Sequence, residues 1–263
     1  MTPSRPPRDP FAHFCYVANM TQPRADEGTR VVVLSGAGLS KASGVPTFRD
    51  ADGLWQGHRI DQVATPEAWF KDRELVRTFY DQRRISCAQV LPNPGHDALA
   101  RFQHALGVKR CTLVTQNIDG LLQKAAAPDV IEMHGSLWRL RCEQDHSHPL
   151  IGVYGPQSRD AKCAACGSLL RPDVVWFGEI PSDMDRIQAA VADCDVFMAV
   201  GTSGVVYPAA GLVQIANAAG ARTIEVNPKP SGGPFDEVFS EGSEDALPRL
   251  IGRWLNEDQT GAS

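Results

Sequence analysis

The chain is short of positive charge. Its 26 Lys and Arg residues face 31 Asp and Glu, a net charge of -5. That balance gives no general reason to expect nucleic acid as a partner. It also lacks any apolar run long enough to cross a bilayer, so no membrane partner is expected. The first ten residues are rich in Pro and Arg and have no apolar segment of the kind a secretory signal needs. Residues 1–27 are read as a flexible leader and 256–263 as a frayed tail. Cysteine is sparse and odd in number, seven in all. This fits a reducing cytoplasm better than a secreted disulfide framework, and a cytoplasmic protein is expected. There is no internal repeat or low-complexity tract.

What is present is a patterned globular sequence. Its 263 residues are 43% hydrophobic, enough for a sizeable core. Apolar runs at Val31–Leu34, Cys111–Thr115, Val130–Glu132, Val196–Val200 and Thr223–Val226 read as buried parallel strands. Helical stretches fall between most of them, at 94–106, 118–126, 184–192 and 208–219. The alternation predicts an α/β fold, a Rossmann-like doubly wound parallel sheet. Two segments interrupt it. Residues 39–92 are too long for a simple crossover and hold helical patterns around 66–87. Residues 139–173 carry a cysteine cluster and little helical periodicity. Both are read as insertions that build a small helical and metal-binding second domain. The large part then spans about 28–38, 93–138 and 174–255 of one globular domain over 28–255.

Each expected strand ends in a polar cluster, and in doubly wound sheets ligands lie outside the carboxyl ends of the strands. After the first strand comes Ser35-Gly-Ala-Gly-Leu-Ser-Lys-Ala-Ser-Gly-Val-Pro-Thr-Phe-Arg49. Gly36 and Gly38 fit a phosphate-binding turn, but the next glycine is Gly44, so the dinucleotide spacing G-x-G-x-x-G is not met. Gln116-Asn117-Ile118-Asp119 follows the second strand, Gly201-Thr202-Ser203 the fourth, and Asn227 the fifth. His134 follows the third. Asn117 both donates to and accepts from a ribose hydroxyl. His134 suits general-base work near neutral pH, although a lone His is more often a satisfied structural group. Cys163 and Cys166 form C-x-x-C, and Cys142 stands apart from the four cysteines in apolar surroundings.

The loop GAGLSKASGVPTFR, then QNID, MHG, C-x-x-C, VVWFGE (174–179), GTS and VNP occur in the order seen in sirtuins. On these motifs, spanning about 28–255, the chain resembles a bacterial sirtuin, an NAD-dependent protein deacylase. The resemblance implies NAD as a consumed co-substrate and acylated lysines on proteins as substrates. The acyl group would pass to ADP-ribose with release of nicotinamide. It implies His134 as the base and Asn117 as the ribose-holding residue. Asp119 would hold the nicotinamide carboxamide beside Ile118, with Gln116 on the same strand end. Ala37, Phe48 and Arg49 would line the loop over NAD. Gly36, Gly201, Thr202, Ser203 and Asn227 would meet the phosphates and adenosine. Val175, Phe177, Gly178 and Glu179 would pair with the substrate backbone as an added strand. A monomer is expected.

Tyr80 and Arg83 lie at i and i+3 on one face of an expected helix. An Arg fork beside a phenol suits a carboxylate at the end of an acyl chain. This resembles the Y-x-x-R element of desuccinylase-type members, and Ala64 matches the small residue that widens their acyl pocket. Pro46 departs from that class, which often has Arg there. The bland alternative makes Tyr80 core and Arg83 surface, since Arg-Arg on a helix usually faces water. Structural zinc takes four thiolate or imidazole ligands. The family supplies C-x-x-C twice, yet here the partner position of Cys142 holds Asp145. His146 and His148 lie close by, and either could complete the set. The expected site is Cys142, Cys163 and Cys166 with His146, the fourth ligand being open and a metal-free module the alternative. Two other functions compete: NAD hydrolysis or ADP-ribosyl transfer with the same residues, and a non-catalytic NAD sensor.

Overall fold

The computed structural model describes residues 28–46, 54–55, 57–202 and 209–255. Eleven strands are present among them: β1 (Val31–Ser35), β2 (Leu54–Trp55), β3 (His58–Arg59), β4 (Cys111–Thr115), β5 (Val130–Glu132), β6 (Gly135–Cys142), β7 (Ile151–Gly152), β8 (Leu170–Val174), β9 (Val196–Val200), β10 (Arg222–Val226) and β11 (Glu237–Phe239). Six form one parallel sheet in the order β11-β10-β9-β1-β4-β5. Counted along the chain, these six strands lie in the Rossmann order 3-2-1-4-5-6 when read from β5. The order reverses between β1 and β9, so the crevice for a ligand opens at the carboxyl ends of those two strands.

Period-two alternation assigns each face of the sheet. Val31, Val33, Leu113, Met198, Ile224 and Val226 pack against helices Pro94–Leu106 and Ser243–Trp254. Val32, Leu34, Val114, Phe197 and Ala199 pack against helices Met184–Asp193 and Leu212–Ala218. Burial of both faces is why these strands read as continuous apolar runs. At the switch point the backbones of β1 and β9 meet almost without side chains. A Cβ on Gly38 would stand 2.6 Å from the Gly201 Cα, and Gly201 itself has φ +57. Glycine is needed there for one turn to pass against the other.

Residues 139–173 form no helix. They supply the three-stranded antiparallel sheet β7-β6-β8 with the end of the long strand β6. Gly135 opens β6 at φ +76, where a Cβ would overlap the Asp173 carbonyl. Between this sheet and helices Ile60–Val63, Pro66–Lys71 and Arg73–Ala88 lies a third core. It contains Val63, Ala64, Trp69, Phe79, Tyr80, Ile118, Leu137 and Trp176. Three helical expectations change, and of these the 208–219 stretch is α-helical over Leu212–Ala218, after a 3-10 turn at Ala209–Gly211. The 118–126 stretch is helical only over Leu121–Lys124, because Gly120 is left-handed and Ala126 has φ 62. The 66–87 pattern breaks at Asp72, whose carboxylate caps the Leu75 amide at 2.9 Å.

Candidate functional site

Four strand ends are cross-linked through side-chain amides. The Gln116 amide at the end of β4 donates to Thr202 Oγ1 after β9 (3.0 Å), and Asn227 after β10 donates to the Thr202 carbonyl (2.8 Å). Asn117 donates from Nδ2 to the Gly36 carbonyl (3.0 Å) and to Ser40 Oγ (3.1 Å). Both amide hydrogens of Asn117 are committed by these bonds. Its Oδ1 is the acceptor it can present to a hydroxyl in the crevice. Ala37, half-buried, opens the short helix Ala37–Lys41 directly after Gly36. Phe48, Arg49 and Ser203 lie outside the described residues.

Ser40 is the hub of a buried network that the motif spacing does not reveal. Its hydroxyl donates to Asp119 Oδ2 at 2.7 Å, and His96 Nε2 lies 3.3 Å from its oxygen. His96 Nδ1 accepts from the Asn93 amide, so Nε2 carries the ring hydrogen and donates to Ser40. Asp119 also accepts from the Leu121 amide at 2.9 Å. Burial holds its carboxyl above the ordinary range, against the pull of those two donors. Burial pushes His96 down to about 4, which keeps it neutral. One signal for His96 is legible in sequence: Asn93-Pro94 is a helix start, and His96 is its third helical residue, bonded back to the cap.

His134 sits half-buried between β5 and β6 with Nδ1 3.1 Å from the Gln116 carbonyl. A carbonyl only accepts, so Nδ1 carries the hydrogen and Nε2 keeps its lone pair. Burial lowers the pKa of His134, with the Gln116 bond acting the other way.

Next to this lies the third core, which holds Ala64 and Tyr80. Ala64 is buried and ends helix Ile60–Val63. The hydroxyl of Tyr80 is fully buried and accepts from Trp176 Nε1 at 2.9 Å. Arg83 is also buried, 5% exposed, rather than on the surface as the bland alternative requires. Burial lowers its pKa, while Cys87, Tyr80 and Asp119 pull it back up. Arg84 is buried as well. It is paired with Asp81 at 2.5 Å and donates to the carbonyls of Gly155 and Leu137. Ile118 belongs to the same core as Tyr80, so the loop carrying Asn117 and Asp119 has one side against that core.

The 174–179 segment is an ordered turn after β8. Val175 donates to the His134 carbonyl (2.9 Å) and Phe177 to the Ala64 carbonyl (3.0 Å). Glu179 binds the Trp176 amide and Arg171, and Arg171 stacks 4.0 Å from the Trp176 ring. Trp176 is therefore core, while Phe177 and Gly178 are exposed.

The cysteine cluster is completed by His148, and the expectation of His146 is corrected. Cys142, His148, Cys163 and Cys166 place their ligand atoms within 4.8 Å of one another. The Cys142 and Cys166 sulfurs are 3.5 Å apart, and Cys163 Sγ is 3.4 Å from His148 Nδ1. Zinc–sulfur bonds of ~2.3 Å in a tetrahedron separate sulfurs by about 3.8 Å, so the set fits zinc. The cause lies in the turn. Asp145 accepts from the Ser147 amide and hydroxyl, and the His148 amide bonds to the Asp145 carbonyl. That turn carries the chain past His146 and brings His148 back over Cys163. Asp145 Oδ2 then stands 3.6 Å from His148 Nε2, on the far side of the ring from the sulfurs.

Fold and site together define a dinucleotide-binding α/β protein with a Cys3His module on an antiparallel sheet. Residues 36–208 match the profile of the Sir2 family. Among curated proteins, the chain is 47% identical over 239 residues to an Escherichia coli NAD-dependent protein deacylase, covering 89% of this chain and 86% of that one. It is 42% identical over 232 residues to the NAD-dependent protein deacylase of Pasteurella multocida, 86% of this chain and 98% of the relative. Among solved structures it is similar to a Sir2 homologue crystallised with NAD, at TM-score 0.78 and 36% identity over 88% of this chain and 91% of that one. The chain belongs to the Sir2 family of sirtuins.

Proposed function

We propose that this protein is an NAD-dependent protein-lysine deacylase that removes succinyl and malonyl groups as well as acetyl. Bound NAD supplies the acceptor: nicotinamide leaves and the acyl group passes to ADP-ribose. His134 is the base. With Nδ1–H held by the Gln116 carbonyl, Nε2 is the atom that takes a proton from a ribose hydroxyl, and burial keeps the ring neutral for that task. Asn117 orients the ribose through Oδ1. Asp119, fixed by Ser40 and Leu121, accepts from the carboxamide. Tyr80 and Arg83 meet the carboxylate of an acidic acyl chain, and Ala64 leaves room for it. Exposed Phe177 and Gly178 receive the peptide.

The observation that carries the acyl preference is the burial of Arg83 beside Tyr80. A guanidinium is expensive to bury, and a carboxylate ligand would offset that cost. The test is a panel of acetyl-, malonyl-, succinyl- and glutaryl-lysine peptides with NAD, on wild type and His134→Tyr. Nicotinamide release should need an acylated peptide and fall by about a hundredfold or more in His134→Tyr. Release without peptide would favour NAD hydrolysis. Tight NAD binding with no turnover on any peptide would favour a sensor.

A further inference from the structure

We propose that Lys124 is a positioning residue for acidic-acyl recognition: it clamps the end of helix Arg73–Ala88 to the loop that carries Asn117 and Asp119, and so fixes where Arg83 stands. This rests on the reading above that Arg83 meets the acyl carboxylate.

A helix of 16 residues ends with carbonyls that have no partner within the helix. The usual remedy is a left-handed glycine just past the end. Here the cap is Gln89, in ordinary right-handed geometry, and no glycine follows. Lys124 does the work instead. Its ammonium donates to the carbonyls of Cys87 (3.0 Å), Ala88 (3.1 Å) and Val90 (3.0 Å). An ammonium has three hydrogens, and each has its own carbonyl. The charge also sits at the negative end of the helix dipole, where a cation is stabilised.

The other end of the clamp is the cofactor side. Lys124 closes the one-turn helix Leu121–Lys124, whose first amide is held by Asp119 Oδ1. Its ammonium lies 5.6 Å from the centre of the Trp138 ring, and Trp138 Nε1 donates to the Asp119 carbonyl at 2.7 Å. Arg83 is one turn before Cys87, inside the stretch this clamp secures. Two walls of one reaction site therefore share a single cation. A long acidic acyl chain needs its carboxylate anchor at a set distance from the nicotinamide ribose, and a small displacement between the walls costs that substrate most. Asp81 and Arg84 hold a neighbouring stripe of the helix independently of Lys124. Lys124 is itself exposed, so its replacement should leave the fold in place.

The experiment compares wild type, Lys124→Met and Lys124→Arg. Met keeps the stem over Trp138 and loses the donors. With succinyl-lysine peptide, Lys124→Met should raise KM by about three- to tenfold, the range for a charge at a helix end, and Lys124→Arg should restore part of it. With acetyl-lysine peptide, kcat and KM should change less than about twofold, because acetyl has no carboxylate for Arg83 to meet. Amide exchange over 87–90 should quicken in Lys124→Met alone. Equal losses on both peptides, or unchanged KM with unchanged exchange, overturn the proposal. If wild type turns over no acidic acyl peptide, the functional reading fails on its own. The exchange result then decides the clamp: faster exchange supports it and unchanged exchange overturns it.

Discussion

On the proposed reading of Arg83, replacing it by Met should separate acyl recognition from chemistry. The guanidinium is buried, and burial holds its pKa below the ordinary Arg range. A carboxylate bound there forms charge-assisted hydrogen bonds in a site of low dielectric. Removing one partner of such a pair leaves the other buried without compensation, at a cost of about 3–5 kcal/mol. At about 1.4 kcal/mol per tenfold, kcat/KM on succinyl-lysine peptide should fall by roughly two to four orders of magnitude. An acetyl group carries no distal carboxylate for residue 83 to meet, and Met refills much of the space. Acetyl-lysine peptide should therefore lose no more than about threefold. The assay is nicotinamide release on matched acetyl and succinyl peptides. Equal loss on both peptides would refute the reasoning, because it would make Arg83 part of the shared chemistry or of the fold.

The metal site separates two adjacent histidines: purified wild type and His146→Ala should carry about one zinc per chain, whereas His148→Ala should lose most of it, by elemental analysis. Retention in His148→Ala with loss in His146→Ala would overturn the ligand set. The pH–rate profile of kcat/KM should have its acid limb below the ordinary imidazole range, because burial lowers the His134 pKa and the base form persists to lower pH. A limb at or above that range would show another group titrating. Acid stability should depend on His96, whose folded pKa of about 4 lies below its unfolded value. As pH falls from about 6.5 toward 4 the unfolded chain takes a proton that the folded chain refuses. Stability present above that window is lost through it, up to about 3 kcal/mol. Denaturant melts of His96→Gln, which does not titrate, should show a shallower decline over that window than wild type.

Most of the sheet and the strand-end residues are legible in the sequence, because both are consequences of local pattern. Val31–Leu34 and Val196–Val200 are apolar throughout since both faces are covered, and the polar clusters after them follow from the direction of the strands. What is not legible depends on contacts between distant residues. Ser40 is one of several small residues in its loop. Only the fold brings Asp119 and His96 to it from 79 and 56 residues away. His146 and His148 are equivalent as composition, and the Asp145 turn decides between them. Arg83-Arg84 reads as a solvated face by charge alone. It is buried because β6 and the 155–159 segment fold over helix Arg73–Ala88, giving Arg84 two carbonyls beside Asp81 of its own helix. Burial lowers the Arg83 pKa, with Cys87, Tyr80 and Asp119 acting the other way, and Ile118 joins the loop of Asn117 and Asp119 to the core of Tyr80. On the proposed reading, a cation at that junction would favour a substrate that brings its own carboxylate.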